Sequence, residues 1–304
     1  MAYISARQAA VQWGISDRRV RVLCEQGKID GVLKPGRSYL IPADAIKPVD
    51  GRILRGVDIP EEYAALFSSV DTRKKKLDER RPLTQGELKR LQDEFLVELT
   101  YNSNAIEGNT LSLRETALVL EGVTIDKKPL KDHLEAVGHR DAFQYVLQLV
   151  SGKTPVSERI IKDIHSLVLM DRPEDKGVYR SIPVRIMGAR KEPPQPYLVP
   201  VQMERLLFNL DKDRRHPIER AALFHLNFEG IHPFIDGNGR TGRLIVNLML
   251  MRCGYPPISV KFTDQRRYYD CFDSYFSESN AAPMVYMIAG YLMERLNQYL
   301  DLLK

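Results

Sequence analysis

The chain has 304 residues, of which 43% are hydrophobic and 28% charged, with a formal net charge of +5. That is enough apolar content for a sizeable core and enough length for about two domains. No stretch reaches the roughly 18–20 uninterrupted apolar residues of a membrane-spanning helix, and the start MAYISARQAAVQWG lacks the apolar core of a secretory signal. Cys24, Cys253 and Cys271 lie far apart with no CxxC pair, and the histidines show no HExxH spacing. These features argue against a disulfide scaffold, a thiolate zinc site and a membrane partner, and lead to the expectation of a cytoplasmic protein. The mild positive charge permits nucleic-acid binding without requiring it.

The first 48 residues read as one unit. Ser5 is placed to cap a helix over Ala6 to Trp13, and Gly14 breaks it. Ser16 caps a second helix running to about Gln26, with Val20, Leu23 and Cys24 on one face and Arg18, Arg19 and Arg21 largely on another. Gly27 ends it. Strand-like runs around Val32 and Tyr39–Leu40–Ile41 flank a turn at Lys34–Pro35–Gly36–Arg37, and a last short helix is expected near Pro42. Helix, tight turn, basic helix and hairpin describe a winged helix-turn-helix.

Residues 49–82 are expected to be a linker, with the run Arg73 to Arg81 as a solvated helix face. Beyond it nearly everything reads helical, so the fold class is mainly α. Leu88, Leu91, Phe95 and Leu99 follow helical spacing within an expected helical region 83–111, capped by Thr84. Further helices are predicted near 112–121, 130–150, 157–170, 200–211, 217–229, 240–252, 264–279 and 283–303. One segment, 184–200, breaks the pattern. Val184, Arg185 and Ile186, then Gly188 and a proline-rich return to Tyr197–Leu198–Val199, suggest a β-hairpin or flap.

The chemistry concentrates in HPFIDGNGRTGR, His232 to Arg243. His232 stands in a loop before a Gly-Asn-Gly turn, where its neutral ring can take a proton near physiological pH. His165 and His225 lie inside helical patterns and read as packing residues. Asp236 is a single carboxylate of the kind that suits magnesium, which takes phosphate oxygens and water as its other ligands. Gly237, Asn238 and Gly239 lead into a helix whose free N–H groups and dipole favour an anion. Arg240 and Arg243 oppose that dipole, so phosphate oxygens are the natural reason for them.

This stretch resembles the Fic motif HPFx(D/E)GNGRxxR at every defined position, and the resemblance extends from about Leu83 to the C-terminus. It implies a helical core with a β-hairpin flap and transfer of AMP from ATP to a Ser, Thr or Tyr hydroxyl of a target protein. By position, His232 would be the general base and Asp236 would hold Mg²⁺. Gly237, Asn238 and Gly239 would cradle phosphates, and Arg240 and Arg243 would bind their β/γ end. Tyr268 and Tyr269 resemble a tyrosine pair at the adenine pocket, although Phe276 stands where an asparagine is expected. Family variants that phosphorylate carry Lys at the position of Gly239, which sets that activity aside.

Upstream, SNAIEGN (Ser103 to Asn109) resembles the family's inhibitory motif (S/T)xxxE(G/N). The resemblance implies that Glu107 pairs with Arg243 and keeps it from the γ-phosphate, with the catalytic core spanning 112–304. Residues 1–48 are similar to winged helix-turn-helix units of the MerR and excisionase type. In that reading Arg18, Arg19, Arg21 and Arg37 face DNA, and a homodimer is expected. Two other readings stay open: a DNA-binding regulator whose core senses nucleotide, and a hydrolase that removes AMP from targets.

Overall fold

In the computed structural model of the chain, the described residues are 3–13, 17–25, 29, 31–36, 38–43, 45, 61–80, 85–152, 155–186 and 191–303. They divide into two compact units, Met1–Pro60 and Glu61–Lys304.

The first unit contains β1 (Tyr3–Ser5), α1 (Ala6–Trp13), α2 (Asp17–Glu25) and β2 (Leu40–Pro42). β1 and β2 pair antiparallel with Ile4 opposite Ile41, and an isolated bridge joins Leu33 to Leu40. Ser5 caps α1 as expected. Its Oγ accepts from the Gln8 N–H at 3.3 Å, and the Gln8 side chain accepts from the Ser5 N–H at 2.9 Å. Ala9, Ala10, Val20, Leu23, Ile29 and Ile41 close a small core of their own. β1 was not expected, because three residues are too few to display an alternating pattern. The punctuating residues Gly14, Ser16 and Gly27 lie outside the described residues, as does most of the helix expected beyond Pro42.

Ten helices are described in the second unit: α3 (Glu61–Asp78), α4 (Gln85–Ile106), α5 (Leu113–Leu120), α6 (Leu130–Val150), α7 (Glu158–Val168), α8 (Val199–Lys212), α9 (Pro217–Ile231), α10 (Asn238–Arg252), α11 (Gln265–Glu278) and α12 (Ala282–Leu302). Short 3-10 turns at Pro196–Leu198 and Phe262–Asp264 lead into α8 and α11. Local chemistry explains several boundaries. Ser112 and Glu115 form a reciprocal cap at α5, and Ser157 caps α7. α10 is buried on every side from Arg240 to Leu250, with the polar Arg240, Thr241, Arg243 and Asn247 buried along with its apolar residues. It forms the axis against which α6, α7 and α9 pack.

Two expectations are corrected. Residues 61–80 are not part of a linker. Tyr63, Phe67 and Val70 on α3 belong to the main core, Tyr63 meets Tyr286 of α12 edge-on at 4.7 Å, and Arg73 donates to Asn297. The charge run there concealed an apolar stripe that begins before it. The hairpin expected over 184–200 is also absent among the described residues, where 181–186 and 191–195 form no strand and Tyr197–Leu198 sit in a 3-10 turn. Pro193, Pro194 and Pro196 lack the N–H a ladder needs, and Pro196 is already set for the start of a helix. Residues 187–190, including Gly188, and the capping Thr84 lie outside the described residues.

Candidate active site

The motif occupies the short connection between α9 and α10. His232 ends α9 in the left-handed region, at φ 49° and ψ 62°, with its N–H on the Phe228 carbonyl. Such a backbone costs about 1–3 kcal/mol in a non-glycine residue and persists only where neighbours enforce it. They do so here. The Asn238 side chain spans the turn, accepting from the Phe234 N–H and donating to the Phe234 carbonyl, each at 2.9 Å. Phe234 is fully buried and stacks on His165 with ring centroids 3.6 Å apart. His165 accepts from the Gly177 N–H at Nδ1, so its proton sits on Nε2 and goes to the Asp236 carbonyl at 2.9 Å. Burial pulls His165 down to about 4, which keeps it in this neutral form. The packing role expected of His165 is therefore that of a brace under the motif.

Above the turn lies a cavity of about 390 Å³. His232, Asp236, Gly237, Asn238, Gly239 and Arg243 all border it, together with Glu107, Tyr268 and Tyr269. No side chain caps the N-terminus of α10. Gly237 holds φ 74°, and a Cβ there would touch His165. The far wall is formed by Phe272, Phe276, Ile186 and Pro193, with Lys191 lying over the Phe276 ring at 4.4 Å. At the other end, the imidazole Nδ1 of His232 is 3.3 Å from Glu229 Oε2.

Asp236 takes the Gly237 N–H at 2.6 Å on Oδ1 and has Arg240 at 3.3 Å, while Oδ2 lies 3.5 Å from Arg172. Burial works to raise its pKa, but Arg240, the Gly237 N–H, Lys131 and Arg172 together hold it below the ordinary carboxylate value. It is thus a stable anion at the cavity edge. Among the described residues no group of three His, Cys, Asp or Glu could hold a metal. An ion at this place would rest on Asp236 and on ligands from outside the protein, a donor set that fits Mg²⁺.

The two arginines diverge. Arg240 is 1% exposed, lies 3.0 Å from Glu135 of α6 and does not border the cavity. One helical turn of α10 carries the two arginines to different neighbours, α6 and the end of α4. Arg243 is fully engaged. Its Nη2 donates to Glu107 Oε1 and to the Ser103 carbonyl, both at 2.8 Å, its Nε donates to Ser103 Oγ at 3.1 Å, and its Nη1 donates to Tyr268 Oη at 3.2 Å. Burial opposes the charge, but Tyr268 and Glu107 more than offset it.

Glu107 is positioned by the end of α4. Its N–H closes on the Asn104 carbonyl, and Gly108 turns the chain at φ 93°. Asn109 then reaches back to Glu135 at 2.9 Å, which ties this turn to the partner of Arg240. A Cβ at Gly239 would lie 2.2 Å from Glu107 Oε1, so the contact depends on that glycine. Tyr268 and Tyr269 border the cavity, but their hydroxyls are committed elsewhere. Tyr268 is 2% exposed and bridges Arg243 to His225 at 2.6 Å, and Tyr269 donates to the Ile106 carbonyl. Burial, with Arg243 nearby, draws His225 down to about 3, leaving it a neutral acceptor for the Tyr268 hydroxyl.

The Fic/DOC family pattern matches residues 155–250. A crystal structure of a Fic domain containing signaling protein from Bacteroides thetaiotaomicron aligns with TM-score 0.71 at 30% identity, over 78% of this chain and 96% of that one. The chain belongs to the Fic family. Among its Fic relatives, the protein adenylyltransferase Fic of Drosophila yakuba is 32% identical over 264 residues, 85% of this chain and 50% of that protein. Its counterpart in Nematostella vectensis is 35% identical over 240 residues, 74% of this chain and 55% of that protein. The chain spans about half the length of these curated relatives.

Three residues of this Fic site were not anticipated: Glu229 beside His232, Glu135 beside Arg240, and Arg180 beneath the His232 backbone. Glu229 had a signal, since it precedes His232 by one helical turn. Glu135 and Arg180 had none, because their contacts join segments far apart in sequence. In the first unit, Arg21 is exposed and paired with Asp17 at 2.9 Å. Arg18 and Arg19 lie on α2 with their side chains outside the described residues, and Arg37 lies wholly outside them.

Proposed function

We propose that this protein transfers AMP from ATP to a Ser, Thr or Tyr hydroxyl of a target protein, itself included. One observation carries the reading: His232, the uncapped N-terminus of α10 and Arg243 border a single cavity. Relatives named protein adenylyltransferase Fic support it. In this scheme the turn at Gly237–Gly239 receives phosphate oxygens on backbone N–H groups, which a glycine backbone lets approach closely. His232 takes the proton of the acceptor hydroxyl. The freed oxygen attacks the α-phosphorus, and the bond to the β-phosphate breaks to release pyrophosphate. Glu229 Oε2, at 3.3 Å from Nδ1, is close enough to stabilise the imidazolium formed when the base takes that proton. Asp236 would hold Mg²⁺, which when bound neutralises charge on the phosphate oxygens.

The Glu107–Arg243 pair supports a braked resting form, because the guanidinium that would meet the distal phosphates is already occupied. The test is incubation with α-labelled ATP and Mg²⁺. Labelled protein is expected to increase in Glu107→Gly and to vanish in His232→Ala, where loss of the base lowers the rate by about 10²–10⁴. Label lost from a pre-modified protein faster in wild type than in Glu107→Gly would instead favour removal of AMP. No labelling in Glu107→Gly would overturn the transferase reading.

The first unit supports a second, separate role. Two short helices, with a small antiparallel sheet that joins the strand before them to the strand after them, support a winged helix-turn-helix reading. We assign it DNA binding through Arg18, Arg19, Arg21 and Arg37, with dimerisation adding affinity, in a cytoplasmic protein. No helix among the described residues is long and apolar enough to cross a membrane.

A further inference from the structure

Arg180 is 5% exposed and has no ion-pair partner among the described residues. Among the described residues its guanidinium donates to backbone carbonyls. Nε donates to the His232 carbonyl at 2.8 Å, Nη1 to Ile182 at 3.2 Å, and Nη2 to Pro194, with Ile231 at 3.5 Å. Its own N–H donates to the Pro233 carbonyl at 3.0 Å. The neighbouring residue fixes its approach. Tyr179 packs on Phe234 of the motif at 5.5 Å and lies under Lys162.

A buried guanidinium without a carboxylate loses hydration and gains only hydrogen bonds in return, so its retention calls for a reason beyond charge pairing. The geometry supplies one. A planar fork of five donors can hold several carbonyls at once in fixed directions, which the compact ammonium of lysine cannot do. Two of the carbonyls, Ile182 and Pro194, lie on the two limbs of the segment that borders the cavity at Ile186 and Pro193. A third belongs to His232, whose left-handed backbone needs outside support.

We propose that Arg180 is a positioning residue that fixes the His232 backbone and ties Ile182 and Pro194, one on each side of the cavity-bordering segment, to it. The inference rests on the transferase reading for its consequence, but not for its geometry. The imidazole is aimed by a backbone that Arg180 holds, whereas ATP meets the turn beyond it. Loss of Arg180 therefore slows transfer while leaving nucleotide binding in place.

The test uses the full chain carrying Glu107→Gly, alone and with Arg180→Ala or Arg180→Lys. Hydrogen exchange is read first. Faster exchange is expected in 180–186, 191–198 and 230–234 together, and a rise confined to one of these stretches overturns the coupling. Transfer from labelled ATP is read second. The rate is expected to fall about 100-fold, the usual result of misplacing a reacting group, with ATP affinity changed by less than about threefold. Added guanidinium ion is expected to restore part of the rate in Arg180→Ala and none in Arg180→Lys, a result that a general loss of packing would not give. Transfer within about threefold of the parent, or ATP binding lost in step with rate, overturns the proposal. Should Arg180→Ala fail to fold, Arg180→Lys keeps the charge and decides both arms. Should the parent transfer no AMP, the transferase reading falls alone and the exchange arm still decides Arg180.

Discussion

Glu107 Oε1 lies 2.8 Å from Arg243 Nη2 across 136 residues of chain. The carboxylate sits on the turn after α4, and the guanidinium sits one turn inside α10. Under the proposed function, removing the carboxylate would free the arginine for phosphate. A coupling of this kind is typically worth about 5- to 150-fold, and AMP incorporation by Glu107→Gly is expected to rise within that range. The same variant leaves Arg243 buried with only Ser103 and Tyr268 as partners. Its stability is expected to fall by about 1–2 kcal/mol, less than for a fully buried pair because Glu107 is still partly open to solvent. Urea denaturation beside the labelling assay reads both. A variant that gained activity without losing stability would separate the contact from the brake.

Gly239 is tested by adding one methyl group. A Cβ there would meet Glu107 Oε1 at 2.2 Å and Arg243 Nη1 at 2.9 Å. Gly239→Ala is expected to cost about 1–3 kcal/mol, the usual penalty of overpacking. In the Glu107→Gly background most of that cost should disappear, because the obstructing carboxylate is gone. A double-mutant cycle in denaturant measures the difference. Equal costs in the two backgrounds would mean that the clash is relieved elsewhere.

Three histidines predict acid lability. Burial, with Arg243 and Arg240 adding to it, brings His139 down to about 3. His225 falls to about 3 and His165 to about 4, in both cases chiefly through burial. Unfolded, each titrates near about 6.5. The unfolded chain therefore binds more protons below that pH, and stability falls as pH drops from about 6.5 towards 4. At pH 5 each histidine contributes a loss of about 2 kcal/mol. Melting curves at pH 7 and pH 5 check the sign, and His139→Gln should flatten the dependence. A melting temperature constant between those values would show that the rings are not held neutral.

The first unit carries its own prediction. A fluorescent duplex is expected to bind the full chain with an affinity that falls steeply as salt rises, because each phosphate contact releases a counterion. Arg21→Glu should weaken that binding across sequences, and His232→Ala should leave it unchanged, since the motif lies in the other unit. Binding insensitive to salt, or unaffected by Arg21→Glu, would remove the DNA-binding role.

The motif was legible because its chemistry is local. His232 to Arg243 lie on one turn and one helix start, so their spacing already states their neighbourhood. The Glu107–Arg243 contact was legible only by resemblance, since nothing in either segment names the other. Helix positions read well where apolar spacing was clean, as in α7. α3 was obscured because its charged half dominates the composition, and the apolar Tyr63, Phe67 and Val70 precede it. The 184–200 segment misled because alternation implied a hairpin while its prolines withheld the donors. The contact of Arg240 with Glu135 had no local signal, because an arginine's reach carries it across to another helix.

The brace formed by Asn238, Phe234 and His165 has a thermodynamic corollary. Under the proposed function the mould for a nucleotide exists before it arrives, so little ordering would accompany docking. Loosening that mould, as Asn238→Ala would, should appear as a larger entropic cost in calorimetry.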